Sequence, residues 1–320
     1  MYTLTPGKIL VGFFLAIILL GFFPFEAKAE EADTVAPTFE EPLIRVGIYK
    51  TDKKVHFVSP YSYTLNSGGV DLGVLPENEL GVLTYTDGVY GFQSDSLTVT
   101  SSDYFRLVPG DLENYYSILN LDRHLVTRSH MNFNSFRGSL EYRFAPKSKV
   151  PYVINELLLE NYVAGVGETS NGAPEEYIKA LQIAARTYAY MNIGKLPPST
   201  NRMFDVYAST NDQLYLGYNF ESFSPRIVFF TGGTRGMMVT YKENPVTTYY
   251  FSRSSGYTKT KKGAPWLKSV KAKYDKGRKM LGHGYGMSNH DAVMRALKDK
   301  WNYEKILTYY YSGTNIDKMY

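Results

Sequence analysis

The chain has 320 residues, 44% of them hydrophobic, with 35 Lys or Arg against 31 Asp or Glu for a net charge of +4, and no cysteine. That apolar fraction supplies a sizeable core and excludes wholesale disorder. The lack of Cys excludes a disulfide framework, an iron–sulfur cluster, a Cys-ligated zinc and a thiol nucleophile, and it fits export, where stray thiols oxidise.

Residues 1–29 read as a secretory signal. Lys8 gives a positive start, Ile9 to Phe23 is an unbroken apolar run, Pro24 ends it, and Ala27-Lys28-Ala29 has the small-x-small form of a cleavage site. As a helix the run spans about 22 Å, short of a ~30 Å hydrocarbon core. The alternative is a retained N-terminal anchor, with Lys8 and Lys28 snorkelling to the interface. Both place the rest of the chain outside the cytoplasm, secreted to the wall or held at the membrane. Residues 30–42, acidic and carrying Pro37 and Pro42, read as a flexible leader.

Residues 43–149 read as β-rich. Strands are predicted over Leu43–Tyr49, Lys54–Val58, Ser96–Thr100 and Phe136–Phe144, the last bent at Gly138, with a hairpin turn at Asp87-Gly88. The texture changes over 150–320. Val153–Leu157 runs into a short helix over Leu158–Val166, then a polar turn from Gly167 to Pro174. Pro174 followed by Glu175 and Glu176 marks a helix start, and apolar spacing carries that helix to Met191. Met237–Tyr241 and Val246–Phe251 read as a hairpin around Glu243-Asn244-Pro245. A Gly-rich stretch, Leu281–Ser288, feeds a helix over Asn289–Lys300, and a last helix runs from Tyr303 to Tyr310. The fold class expected is α+β: a mostly β core with a few helices.

Charge is uneven. Residues 30–120 hold 14 acids and 5 Lys or Arg, whereas residues 253–305 hold 14 Lys or Arg and 4 acids. A basic segment on an exported chain points to a polyanionic partner: cell-wall polymer, anionic lipid or nucleic acid. The 29 Tyr suit half-buried strands and also surfaces that stack on sugar rings.

Few constellations carry chemistry. Ser254 or Ser255 with His283 is a conceivable nucleophile and base for an esterase or amidase, without a G-x-S-x-G frame. His283 and His290 lack metal-ligand spacing, so no metal site and no cofactor are expected. Glu168 stands in the turn before Pro174. It is either a helix-end carboxylate or a general acid with a raised pKa at the wall of a groove.

These residues carry a resemblance. Tyr162–Glu168 followed by Ile178-Lys179-Ala180-Leu181-Gln182-Ile183-Ala184-Ala185-Arg186-Thr187-Tyr188-Ala189 resembles the signature of the stage II sporulation protein D (SpoIID/LytB) family, a V-x-x-E turn followed by K-A-Q-A-x-A-A-R-T-Y-A. Val153–Tyr162, Tyr250–Thr258, Gly282–Asn289 and Tyr309–Thr314 are similar to further family motifs in the same order, so the likeness runs from about Leu43 to Asn315 and is strongest after Val150. The resemblance makes residues 150–320 a SpoIID-like core and implies lytic transglycosylase activity on peptidoglycan, with Glu168 as the catalytic acid in a turn between two helices. It implies Lys179, Gln182, Arg186, Ser254, Ser255, His283 and Ser288 as substrate contacts. It implies peptidoglycan glycan strands as the partner rather than nucleic acid, or a non-catalytic role enhancing a cell-wall amidase. The chain departs from the pattern where some relatives bear two Cys and a His that hold a metal: Tyr207, Asn211 and Asp212 stand there, so zinc is not expected.

Overall fold

The computed structural model describes residues 40–126, 128–195 and 202–320. The expected signal or anchor over 1–29, and the leader up to residue 39, lie outside the described residues. The end of the leader is held rather than flexible: a Glu41 carboxylate oxygen accepts the Glu160 amide at 2.7 Å, and the same side chain pairs with Arg235. Among the described residues no helix is long and apolar enough to cross a membrane.

The chain is α+β with a mostly β core. In order come β1 (Leu43–Lys50), β2 (Val55–Val58), β3 (Tyr63–Ser67), β4 (Val70–Leu75), β5 (Gly81–Thr86), β6 (Val89–Gln93), β7 (Thr98–Ser101), β8 (Phe105–Pro109), β9 (Tyr115–Ile118), β10 (Ser135–Arg137), β11 (Ser139–Ala145) and β12 (Val150–Leu158). After α1 (Leu159–Ala164) and α2 (Glu175–Tyr190) comes the two-residue β13 (Val206–Tyr207). One sheet runs β13-β1-β12-β11-β8-β3-β4 and a second runs β10-β9-β2-β5-β6-β7. Alternating apolar side chains from both meet in one core, for example Phe57 packed on Tyr63 and Tyr116 with ring centroids 5.0 and 5.1 Å apart. Gly138 lets the chain pass from one sheet to the other. Its φ is 75°, and a Cβ there would sit 2.3 Å from the Glu156 carbonyl oxygen, so the predicted bend is a full change of sheet. The hairpin at Asp87-Gly88 forms as expected, with φ of 49° and 88°.

The remaining elements are α3 (Tyr218–Phe223), α4 (Pro225–Gly233), β14 (Met237–Tyr241), β15 (Asn244–Pro245), β16 (Tyr250–Phe251), β17 (Met287–Ser288), α5 (Asn289–Lys298), α6 (Tyr303–Tyr310) and β18 (Asn315–Lys318). Helices α3 and α4 fall in a stretch where the sequence predicted no element; Pro225 starts the second at its first turn. The expected hairpin of 237–241 with 246–251 is corrected. The turn is at Lys242-Glu243, both with positive φ, and the returning strand is only Asn244–Pro245. After Val246 the chain leaves β14 because Thr248 donates to the Ala184 carbonyl and Tyr250-Phe251 pairs with Met287-Ser288. The second neighbour of β14 is instead the C-terminal β18.

Helix α2 is central. It is buried around most of its circumference and feeds separate apolar clusters: Tyr177, Leu181 and Ala184 pack toward α5 and α6, while Ile178 packs on Leu216, Phe220 and Ile227. Arg186, fully buried, fixes it in place. Its Nε and Nη2 donate to both oxygens of Glu160 on α1 at 2.8 and 2.6 Å, and its remaining donors reach the carbonyls of Thr231 and Met237.

Removing half of a buried, fully bonded ion pair strands the other charge, a loss of about 3–5 kcal/mol. Glu160→Gln is therefore expected to lower unfolding free energy by that order in denaturant titrations, and a loss below about 1 kcal/mol would contradict the role given to the pair.

Candidate active site

Glu168 lies four residues beyond α1, at the end of a short backbone ladder. The Gly167 amide donates to the Leu214 carbonyl, the Leu216 amide to the Gly165 carbonyl, and Val166 bridges Tyr215. The Leu214 amide in turn donates to a Glu168 carboxylate oxygen at 2.8 Å. The ladder sets the carboxyl in the wall of an open groove of about 530 Å3, shared with Tyr188, Asp212, Gln213, Tyr250, Ser252 and His283. Burial raises the pKa of Glu168 above the ordinary 4.5, and the single backbone hydrogen bond offsets this only in part. A half-buried carboxyl with one amide contact and no cation partner among the described residues is suited to hold a proton above the ordinary carboxylate range and release it to a bound group. The helix-end reading does not hold. Pro174 occupies the position before α2, no side chain caps that helix, and its first turn carries Glu175 and Glu176 instead.

The opposite wall is Thr248–Ser252 with Leu281–His283. Three contacts hold it. Tyr250 accepts a hydrogen bond from Gln213 Nε2 at 2.8 Å, and Gln213 accepts one from Tyr162 at 2.9 Å, which ties the two walls together. The Tyr249 carbonyl accepts from the Met287 amide and the Tyr311 hydroxyl. Gly286 passes so close to that carbonyl that a Cβ would lie 1.9 Å from its oxygen, with φ at 72°, so only glycine fits. His283 stands exposed among Tyr249, Phe251 and Tyr285, ring centroids 5.5 to 5.8 Å away. Its Nδ1 accepts the Tyr285 amide at 3.0 Å, so the neutral ring carries its proton on Nε2. Desolvation by these rings, then Lys259 and Lys261, push its pKa below the usual range, which favours that neutral donor.

The sequence-predicted contacts do not all reach the groove. His283 lines it. Lys179 faces elsewhere, paired with Glu175 and Glu176 on its own helix. Arg186 is the structural hub already described. Gln182 is enclosed, with no hydrogen-bond partner for either amide atom among the described residues. Ser255 is exposed and does not line the groove. Ser254 and Ser288 are fully buried, and both hydroxyls donate to one oxygen of Asp275, at 2.9 and 2.5 Å. A nucleophilic Ser254 paired with His283 is thereby removed, since its hydroxyl is committed to a carboxylate.

Asp275 escaped the sequence reading. Fully buried, it also accepts the Ser254 amide at 2.9 Å and faces His290 Nδ1 at 2.6 Å through its other oxygen, while the His290 amide donates to the Ser252 carbonyl in the groove wall. It thus joins the loop at 252–256 to the start of α5. Burial works to raise its pKa, and the hydrogen bonds from Ser288, Ser254 and His290 outweigh this and hold it below the ordinary 3.8. Tyr188 lines the groove and donates to Asp212 at 2.7 Å; Asp212 also accepts from Arg202 and the Tyr207 amide. Of Tyr207, Asn211 and Asp212, two are thus linked: the Tyr207 amide bonds to Asp212, which is also ion-paired with Arg202. Among the described residues no three His, Cys, Asp or Glu side chains converge on a metal site.

Comparison with known proteins adds the following. Residues 148–241 match the family model described as SpoIID, stage II sporulation protein, so the matched segment contains Glu168 and α2 but ends before the Ser254 and His283 loops. The chain is 31% identical over 153 residues to stage II sporulation protein D of Bacillus subtilis, covering 42% of this chain and 43% of the relative. It is 31% identical over 143 residues to that of Bacillus amyloliquefaciens, covering 38% and 41%. An uncharacterised protein of Brachyspira hyodysenteriae is 35% identical over 131 residues, covering 40% and 34%. The similarity thus spans less than half the length of these curated relatives.

A carboxylate held below its ordinary value adds stability that is present above that value and lost as pH falls through the folded-state value. Asp275→Asn is expected to be less stable than wild type at pH 7, with the difference closing as pH is lowered below 3.8 in parallel thermal melts. A gap that stays constant with pH would contradict the hub.

Proposed function

This chain belongs to the SpoIID family, and from that premise we propose a cell-wall role in sporulation, carried out as a lytic transglycosylase outside the cytoplasm on peptidoglycan glycan strands. The observation that carries the reading is the Glu168 carboxyl, raised in pKa and lining one open groove together with the rings of Tyr188, Tyr249, Tyr250 and Phe251.

Ordinary glycosidases use two carboxylates, one as acid and one as base or nucleophile. Here one is enough. Protonated Glu168 gives its proton to the glycosidic oxygen leaving C1 of N-acetylmuramic acid, and the C1–O bond to N-acetylglucosamine breaks. The C6 hydroxyl of the same muramic residue attacks C1 to close a 1,6-anhydro ring, and its proton returns to Glu168. One C–O bond breaks and one forms, no water is consumed, and the acid is regenerated. The intramolecular hydroxyl competes with water through its high effective molarity. The second carboxylate in the groove, Asp212, is engaged by Tyr188, Arg202 and the Tyr207 amide, which suits a positioning role rather than proton transfer. Neutral His283 and the rings of Tyr249, Tyr250 and Phe251 offer a donor and flat faces to sugar rings.

Two outcomes test this. Purified protein digesting glycan strands is expected to release 1,6-anhydromuramic ends by mass spectrometry, and Glu168→Gln to lose about 10²–10⁴-fold in rate, the usual contribution of general acid catalysis. Identical product traces from both proteins would sink the proposal, and wall binding without cleavage by either would point to an amidase-enhancing module. Because the acid form is the competent one and its pKa is raised, activity is expected to persist above pH 4.5 and to fall as pH rises through the Glu168 value. An alkaline limb that survives in Glu168→Asp at an unchanged pH would assign it elsewhere.

A further inference from the structure

The polar link across the groove has a fixed direction. Gln213 is buried. Its Nε2 lies 3.3 Å from the Ala185 carbonyl oxygen and 2.8 Å from the Tyr250 hydroxyl, and its Oε1 lies 2.9 Å from the Tyr162 hydroxyl. A backbone carbonyl only accepts, so the atom that faces Ala185 is the amide nitrogen. Tyr162 then donates to Oε1. An amide nitrogen does not accept, so the bond to Tyr250 runs from the Gln213 N–H to the tyrosine oxygen. A side-chain amide does not titrate in the working range, and the direction holds throughout it.

The consequence falls on Tyr250, which lines the groove with Glu168 and Gln213 and whose backbone is held there by pairing with Met287. Its oxygen is engaged by Gln213, and among the described residues its own hydrogen meets no acceptor. Burial, and after it the charge of Glu168, push the phenol pKa well above its ordinary value, so the proton stays in place. A ligand that displaces solvent at this hydroxyl must supply an acceptor or leave the proton unpaired. Tyr188 is the opposite case: it lines the same groove but gives its proton to Asp212 at 2.7 Å. Such a fixed donor selects among sugar groups. A sugar hydroxyl rotates to donate or to accept, so it is not discriminated. An amide carbonyl only accepts, and it accepts more strongly than a ring or glycosidic ether oxygen. A free amino sugar carries an ammonium near neutral pH, with donors and no acceptor, and would set donor against donor.

We propose that Tyr250 is a specificity residue of the groove, its hydroxyl donating to the carbonyl oxygen of an N-acyl group on the bound glycan. The inference rests on the proposed glycan reading for the occupant of the groove, and not on Glu168 acting as the acid. Tetra-N-acetylchitotetraose and its fully de-N-acetylated counterpart serve as probes, titrated calorimetrically against Glu168→Gln protein, which blocks turnover, with and without Tyr250→Phe. Removing the hydroxyl is expected to weaken binding of the acetylated tetramer by about 3- to 10-fold, the range of one neutral hydrogen bond, and to leave the de-N-acetylated tetramer unaffected. An unchanged affinity for the acetylated probe overturns the proposal. So does a failure of the protein with Tyr250 intact to bind that probe, and so does an equal loss on both probes, which would make the hydroxyl a contact for sugar hydroxyls or a support of the wall. Should Tyr250→Phe not fold, Gln213→Met removes the N–H that sets the direction and keeps Tyr250; the same acetyl-selective loss is expected, and its absence overturns the proposal. Selective loss in a protein that yields no 1,6-anhydro ends would defeat the catalytic reading alone. Cleavage of glycan strands by wild type, with no selective loss in Tyr250→Phe, would defeat this one alone.

Discussion

The structure depends first on Arg186 and Glu160. An ion pair taken out of water is tolerated only when its remaining donors and acceptors are met. Here they are met by segments far apart in the chain. Glu160 also accepts from the Gly236 amide and the Tyr320 hydroxyl, its own amide is held by Glu41, and Arg186 reaches the carbonyls before and at the start of β14. The beginning of the described chain, α1, α2, α4, β14 and the C-terminal residue therefore meet at one buried point. Once α1 and α2 are fixed against each other, the turn between them has little freedom, and that turn carries Glu168.

The groove is built from two halves with separate supports. The Glu168 half is positioned by the Arg186 pair and by the ladder with Leu214–Leu216. The half bearing Tyr249–Ser252 and His283 is positioned by Asp275, by Gly286 against the Tyr249 carbonyl, and by Thr248 bound to α2. Gln213, bonded to both Tyr162 and Tyr250, is the polar link between them. Preorganisation of this kind is what the proposed mechanism, with one carboxyl as acid and then base, requires.

Much of this was legible in the sequence, for identifiable reasons. Strands with strict alternation, such as Val55–Val58, and the Asp87-Gly88 turn are local signals, and they formed where expected. So did α2, announced by Pro174 and two acids. Helices α3 and α4 were missed because their periodicity is short and their burial comes from tertiary packing against Met131, Phe133 and Ile178. The hairpin after β14 was misjudged because the rival partner, β18, is more than seventy residues away and leaves no local trace. At the site, Glu168 and His283 could be singled out from their turn and their flanking glycines. Arg186, Ser254 and Ser288 could not be told from ligand contacts, because the carboxylates that engage them, Glu160 and Asp275, are distant in sequence. Asp275 itself had no motif around it.

The buried network and the acid in its groove support the proposed chemistry, which relies on a carboxyl and a well-held wall. The most direct test is the titration of that carboxyl. Difference infrared spectra of wild type minus Glu168→Gln, followed as a function of pH, report the ionisation of Glu168 alone. The account predicts a carboxylic acid band that persists above pH 4.5 and disappears only at higher pH; a group that ionises at or below 4.5 would contradict it.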